Sequence, residues 1–465
     1  MSKTANLFEP VLTKRRGKHA DKKHWTNLLG SSDTLAIYHG AINADAPMLL
    51  LTHDTQSALR FEQELKSLNN KLQLPICLFP DWETLPYDNF SPHQDIISQR
   101  LATLYQLSNM KNGIIIVPVS TLLQRLAPTQ YLRTNSLIVK VGDKKDLHQM
   151  RQNLESSGYR SVEQVMEHGE FSARGAILDI FPMGCKTPFR LDFFDDEIED
   201  IRLFDPENQR SSDKMDEINL LPAHEFPTDE DAISLFRRQY REQFPSKIHK
   251  ESLYHQVSDG ILPAGIEYYL PLFFQETSTL CDYLGENIRV MVSGNIDKAI
   301  EQYWLDIEYR FEERRYDPTR PLLPPKSLFL NSDEFYSALK PFDRISIEKS
   351  PVASQLKEPS DEDVEKSKAG HIRFDITPLP DITINHQLKQ PFELINSFIS
   401  DKETPDKILF IAETQGRRES VLELLERNHI KPKYFDDIGS FVESSEKLGI
   451  TVNTLRSGFT FQSKG

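Results

Sequence analysis

The sequence is poor in cysteine, has no long apolar run and carries no excess of positive charge. Its three cysteines, Cys77, Cys185 and Cys281, lie far apart in 465 residues. They offer neither a disulfide framework nor paired metal-ligand spacing. A reducing compartment, the cytoplasm, is the expected setting. No stretch approaches the roughly 18 consecutive apolar residues of a membrane-spanning helix, so no membrane attachment is expected. No apolar core follows Lys3, so no secretory leader is expected either. Acids outnumber bases 70 to 55, for a net charge of −15. That balance argues against a surface that grips nucleic-acid backbone over most of its extent, though a local basic patch remains compatible with it.

A phosphate-cradling loop is also missing. The place to seek one is the turn near residue 30, which reads Leu29-Gly30-Ser31-Ser32-Asp33-Thr34. A P-loop needs closely spaced glycines, a lysine for the phosphates and a Ser/Thr for magnesium. Here the lysine is absent, and Asp33 adds negative charge where phosphates would sit. The thirteen histidines show no metal-ligand spacing. His93, His168 and His224 read as structural hydrogen-bonders, and no Ser/His/Asp arrangement is assignable. The acidic clusters Asp195-Asp196-Glu197 and Asp229-Glu230-Asp231 read as a hairpin tip and a helix first turn, where acids meet the helix dipole favourably.

What is present divides the chain. Its length suggests about three domains. Residues 1–24 read as a basic disordered tail: six Lys/Arg lie between Lys14 and Lys23, with no apolar periodicity. Such a run is either a solvated tail or an arm for phosphates or acidic surfaces. Residues 25–136 alternate short apolar strands (48–52, 76–79, 113–117) with amphipathic helices, the pattern of a parallel sheet covered on both faces. Ser120 is expected to cap a helix running to Leu126. Residues 137–218 change to short strands, 161–165, 176–180, 189–194 and 198–203, an α+β insert with a largely antiparallel sheet. Helices return over 219–349, including a long one over 296–315. Residues 350–372 read as an acidic linker almost without bulky apolar side chains. Residues 373–465 read as a small α/β domain with a strand at 408–412, a turn at Gly416 and a helix over 419–428. Its exposed Arg417-Arg418 pair is expected in a helix first turn.

One constellation stands out physically. In Phe189-Arg190-Leu191-Asp192-Phe193-Phe194, the period of two puts Arg190, Asp192 and Phe194 on one face and Leu191 and Phe193 on the other. The second face suits a core. The first pairs an arginine with an aromatic, the residue types enriched at interface hot spots. Arg174-Gly175 precedes a strand that fits the same sheet. On these residues alone, a docking face and a salt-bridged sheet face with Phe194 covered are equally good readings.

Longer motifs carry a family resemblance. The run from Asp81 through Trp82, Glu83, Thr84, Leu85, Pro86 and Tyr87 to Asp88, then Ser91-Pro92-His93-Gln94-Asp95-Ile96, resembles the N-terminal region of the bacterial transcription-repair coupling factors (Mfd). So do residues 164–170 (QVMEHGE), 174–182 (RGAILDIFP), 190–198 (RLDFFDDEI), 220–227 (LLPAHEFP) and 317–325 (DPTRPLLPP). The resemblance spans nearly the whole chain and is weakest before residue 25 and after about 350.

The resemblance implies a multidomain α/β and α+β protein. A discontinuous UvrB-like lobe of degenerate helicase type would receive an inserted α+β UvrA-binding domain, followed by a small α/β domain after a flexible linker. By motif position, Arg174, Arg190 and Phe194 are the implied UvrA contacts, and the chain's role would be recruitment of UvrA to RNA polymerase stalled at a DNA lesion. The family's ATP-dependent double-stranded-DNA translocase, its RNA-polymerase-binding domain and its C-terminal domain lie beyond this sequence. ATP and magnesium are therefore expected only there, and no enzymatic activity, cofactor or metal is expected here. In the family the C-terminal domain masks the UvrA surface. Two rival readings are a UvrB-like ATP-dependent excision subunit and a nucleic-acid-binding module using the basic tail.

Overall fold

The strand Met48–Thr52 is buried at all five positions, and its two faces feed two different cores. Met48 and Leu50 point into one cluster with Trp25, Ile114, Ile116, Met291, Ile345 and Ile347. Leu49 and Leu51 point into the other with Ile115, Val117 and Val290. A strand covered on both sides has no polar face to offer, which is why it reads as an unbroken apolar run.

The structure, a computed structural model, describes residues 3–5, 7–12, 20–69, 73–245, 252–285, 287–349, 370–384, 391–400 and 406–461. The main sheet has eight strands. In spatial order they are Lys3–Ala5, His371–Phe374, Lys22–Thr26, Asp343–Glu348, Arg289–Ser293, Met48–Thr52, Ile114–Pro118 and Ile76–Leu78. Every neighbouring pair is parallel. The helix Ser32–Ile42 is buried along nearly its whole length against the first core, with Thr55–Leu68 beside it. The helices Gln94–Leu107 and Ile296–Arg314 pack on the second core.

That second core continues into a six-stranded sheet, in the order Ser211–Lys214, Glu197–Phe204, Phe189–Phe194, Ile177–Phe181, Glu170–Arg174 and Arg160–Ser161. It is antiparallel except for its last pair. Its inner residues Ile180, Leu191, Phe193, Ile198 and Ile201 share one cluster with the lobe. Ile198 and Ile201 are three residues apart, yet both face inward. A register shift opposite Asp192 and Phe193 inserts one extra residue in their strand and restores the phase. Two further strands, Leu137–Lys140 and Glu217–Leu220, pair antiparallel and bracket the insert.

Polar contacts tie the two parts of the lobe to each other and the insert to the lobe. Arg100 is fully buried, its guanidinium 4.4 Å from the Phe79 ring centre and 5.2 Å from that of Trp82. It donates to Glu225 Oε1 at 2.9 Å and to the Pro80 carbonyl at 2.8 Å, while Trp82 Nε1 donates to Glu225 Oε2 at 2.8 Å. His168 bridges Asp95 Oδ1 and the Cys185 carbonyl, both at 2.7 Å. His224 is half-buried, and desolvation there pushes its pKa down to about 4.

Several sequence expectations need correcting. The strand Lys22–Thr26 lies inside the main sheet, so residues 22–24 are not a tail. Its polar side chains hid it: the burial pattern runs from exposed Lys22 to fully buried Trp25, and one face stays polar. The basic residues 14–18 lie outside the described residues. So do 350–369 of the expected linker, but His371–Phe374 returns to the main sheet beside Lys22–Thr26. The chain beyond 373 is therefore not a wholly separate unit. It holds its own parallel sheet of Ile408–Ala412, Leu448–Val452 and Lys433–Tyr434, yet residues 453–461 run back onto the lobe. Ser120 caps no helix; its hydroxyl donates to Asp81 Oδ2 at 2.7 Å. Gly416 lies inside the helix Gln415–Arg427 rather than in a turn before it.

Candidate functional site

The turn at Gly30 follows the strand Lys22–Thr26 of the main sheet and leads into the buried helix Ser32–Ile42. Gly30 has φ +59°, and a Cβ there would lie 2.6 Å from the Gly458 carbonyl oxygen and 2.8 Å from that of Ser457. The Ser31 amide donates to the Ser457 carbonyl at 3.0 Å, and the Ser457 amide donates to Ser31 Oγ at 3.2 Å. Asp33 and Glu64 are fully buried behind this contact. Arg60 donates to both, at 2.8 Å and 2.9 Å, and Lys349 lies 3.6 Å from Asp33. The place a nucleotide's phosphates would take is filled by chain and lined by two carboxylates. These residues do not fit ATP. Among the described residues no cluster of three or more His, Cys, Asp or Glu is placed to hold a metal ion, and no helix is long and apolar enough to cross a membrane.

The outer face of the six-stranded sheet is different. Phe189, Leu191 and Phe193 are buried while Arg190 and Asp192 are half-buried and Phe194 is 69% exposed. Among the described residues nothing covers Phe194, whose ring stands in solvent. Ladder pairing builds the rest of the face. Arg190 lies opposite Asp179, Asp192 opposite Ile177, and Ile177 in turn opposite Arg174. Arg174 and Ile177 close a tight hairpin through Gly175, whose φ of +59° suits a residue without a Cβ. Arg174, Arg190 and Phe194, singled out from the sequence, thus share one face of three adjacent strands.

Their states differ. Arg174 is exposed, and among the described residues its side chain makes no hydrogen bond or ion pair. Arg190 is clasped by Asp179: Nε donates to Oδ1 at 2.7 Å and Nη2 to Oδ2 at 2.8 Å. This hydrogen bonding pushes the Arg190 pKa above its ordinary value. Farther across the sheet, Asp200 accepts from Arg202 at 2.6 Å and lies 3.0 Å from Lys214. Asp179 and Ile177 were not picked out by sequence reasoning. The signal was available in the alternation of Ile177, Asp179 and Phe181, but reading it required the register of two strands.

The chain is thus a multidomain α/β protein: a parallel α/β lobe carrying a mostly antiparallel sheet with an exposed aromatic and arginine face. Residues 137–226 match the model of the UvrB interaction domain, and residues 398–465 match that of the MFD D3 domain. The chain is similar to the transcription-repair-coupling factor of Haemophilus influenzae, with 43% identity over 461 residues, 99% of this chain and 38% of that protein. It is similar to that of Escherichia coli at 42% over 417 residues, 90% and 35% of the two chains, and to that of Bacillus subtilis at 26% over 274 residues, 56% and 23%. Along nearly all of its own length the chain is similar to the transcription-repair-coupling factors, and it spans about two fifths of the length of the first two of these relatives.

Proposed function

We propose that this chain is the recruiting part of a transcription-repair coupling factor, and that the outer face of its six-stranded sheet binds UvrA. The observation that carries this reading is Phe194, 69% exposed beside Arg174 and Arg190 within the segment matched as a UvrB interaction domain. A large aromatic held in water on a rigid strand loses little conformational freedom on docking and gains apolar burial. Arg174 supplies a charged fork suited to a carboxylate.

On this reading the UvrB-like lobe is discontinuous, split by the insert, and serves as a scaffold without ATP hydrolysis. The motor that displaces stalled RNA polymerase from DNA, with its ATP and magnesium, belongs to the rest of the relatives' length. So does any domain that masks the UvrA face at rest. Because UvrB carries a similar module, the two proteins compete for UvrA.

The test is a titration of purified UvrA against the chain, in wild-type form and as Phe194→Ala and Arg174→Ala. Each substitution should weaken binding by more than about 1 kcal/mol. Unchanged affinity in both variants would overturn the assignment of the site.

A further inference from the structure

Of the two arginines singled out from the sequence, Arg190, unlike Arg174, is not free to receive a partner. A guanidinium has five N–H donors. Two of them go to Asp179, and Nη1 faces the Gln209 carbonyl at 3.3 Å and Ser211 Oγ at 3.4 Å. The Arg190 guanidinium carbon also sits 5.1 Å from the Phe204 ring centre. An incoming carboxylate therefore finds no open fork at Arg190. At Arg174 it does.

The apolar part of the face is also larger than Phe194. Ile177 is 36% exposed and lies directly across from Arg174 on one side and Asp192 on the other. Asp192 precedes Phe194 by two residues on the same strand face. Arg174, Ile177 and Phe194 therefore follow one another across three neighbouring strands, with the clasped Asp179–Arg190 pair in the adjacent row.

We infer that Ile177 is a contact residue of this face and Asp179 a positioning residue. The complementary surface then presents a single carboxylate to Arg174, beside an apolar recess that takes Ile177 and Phe194. Asp179 acts through Arg190: it neutralises that charge and fixes its side chain flat on the sheet, so the row beside the apolar contact is pre-formed. This inference rests on the UvrA reading above.

The experiment uses the full chain and purified UvrA, with thermal melting to establish that each variant is folded. Ile177→Ser should weaken binding by about fivefold or more, because an exposed side chain on a hairpin is lost without disturbing the core. Asp179→Asn should weaken it by about tenfold, and Asp179→Glu should recover most of that loss. In an Arg190→Ala background, Asp179→Asn should cost nothing further, which a merely structural role for Asp179 does not predict. Tighter binding by Asp179→Asn would overturn the positioning role, since it would mean that Asp179 competes with the partner for Arg190. If Phe194→Ala weakens binding while Ile177→Ser and Asp179→Asn leave it unchanged, the inference is wrong and the UvrA reading survives. If the unaltered chain fails to bind UvrA, both are wrong.

Discussion

Ser31 and Ser457 exchange two hydrogen bonds, amide to carbonyl and amide to hydroxyl, across 426 residues of chain. The contact closes the turn at Gly30 with the chain's own backbone. Asn453 reinforces it by accepting from Ser67 Oγ at 2.9 Å, Thr454 by donating to the Gln63 carbonyl at 3.0 Å, and the Arg456 amide by donating to Glu64 at 3.2 Å. A segment of the region matched as the MFD D3 domain is thereby fastened to the lobe at the turn where a nucleotide-binding protein would hold phosphate.

Gly30 is the point at which this closure is most vulnerable. Its left-handed φ and the two carbonyls within 2.8 Å of a Cβ leave no room for a side chain. Gly30→Val should therefore displace residues 455–458 and destabilise the fold by about 1–3 kcal/mol from strain. Amide hydrogen exchange over residues 453–461 should speed up in the variant, while exchange in the six-stranded sheet stays as it was. Equal protection of 453–461 in both proteins would mean that the fastening does not depend on this contact.

The Arg100–Glu225 pair predicts a larger effect. Both side chains are buried, and Glu225 also accepts from Trp82. Removing one member leaves the other charge in the core without a partner, at a cost of about 3–5 kcal/mol. Glu225→Ala should show that loss in equilibrium urea unfolding. Trp82→Phe, which removes one hydrogen bond and keeps a ring over Arg100, should cost nearer to about 1 kcal/mol plus the lost ring volume. Similar losses in the two variants would contradict the assigned role of the buried charge.

The difference between these sites explains what the sequence disclosed. Strands covered on both faces, such as Met48–Thr52 and Ile114–Pro118, are legible because every residue must be apolar. Lys22–Thr26 and Asp343–Glu348 are not, because half of each strand faces polar surroundings and the alternation is short. The site face was legible at Arg190 and Phe194 by period two alone. What period two cannot supply is the register between strands, and that register decides that Asp179 meets Arg190 and Ile177 meets Arg174. Trp82, Arg100 and Glu225 stand far apart in sequence. The motifs holding Trp82 and Glu225 were recognisable as a family signature, whereas Arg100 lies in none of them; the buried ion pair that ties the two parts of the lobe together emerges only from the packing.

Glu267 makes a pH prediction. It is 7% exposed, accepts from Ser91 Oγ at 2.8 Å, and burial pushes its pKa up to about 7 from an ordinary 4.5. Its folded value lies above its unfolded one, so the folded state holds the proton more tightly. The associated stability is present below about pH 4.5 and is lost as pH rises through 7, by up to about 3 kcal/mol. Glu267→Gln keeps an acceptor for Ser91 and removes the titration. Relative to wild type it should be stabilising at pH 8 and close to neutral at pH 5, as read from urea midpoints at the two values. An equal difference at both would show that Glu267 does not titrate in this range.

Asp33 sets the charge at the turn that follows Gly30. Its carboxylate is fully buried and bound to Arg60, with Lys349 nearby and Glu64 sharing the same arginine. An ATP triphosphate would bring negative charge against two buried acids and would have to displace Ser457 from the Ser31 amide. Millimolar ATP with magnesium should therefore leave the thermal midpoint of this chain where it is. Asp33→Asn removes one of the acids but breaks a buried ion pair, so it should lower stability by about 3 kcal/mol. It should gain no ATP affinity, because the 453–458 segment still closes the turn. A saturable, ATP-dependent rise in the midpoint of the wild-type chain would overturn this account, since any ligand that binds only the folded state must stabilise it by mass action.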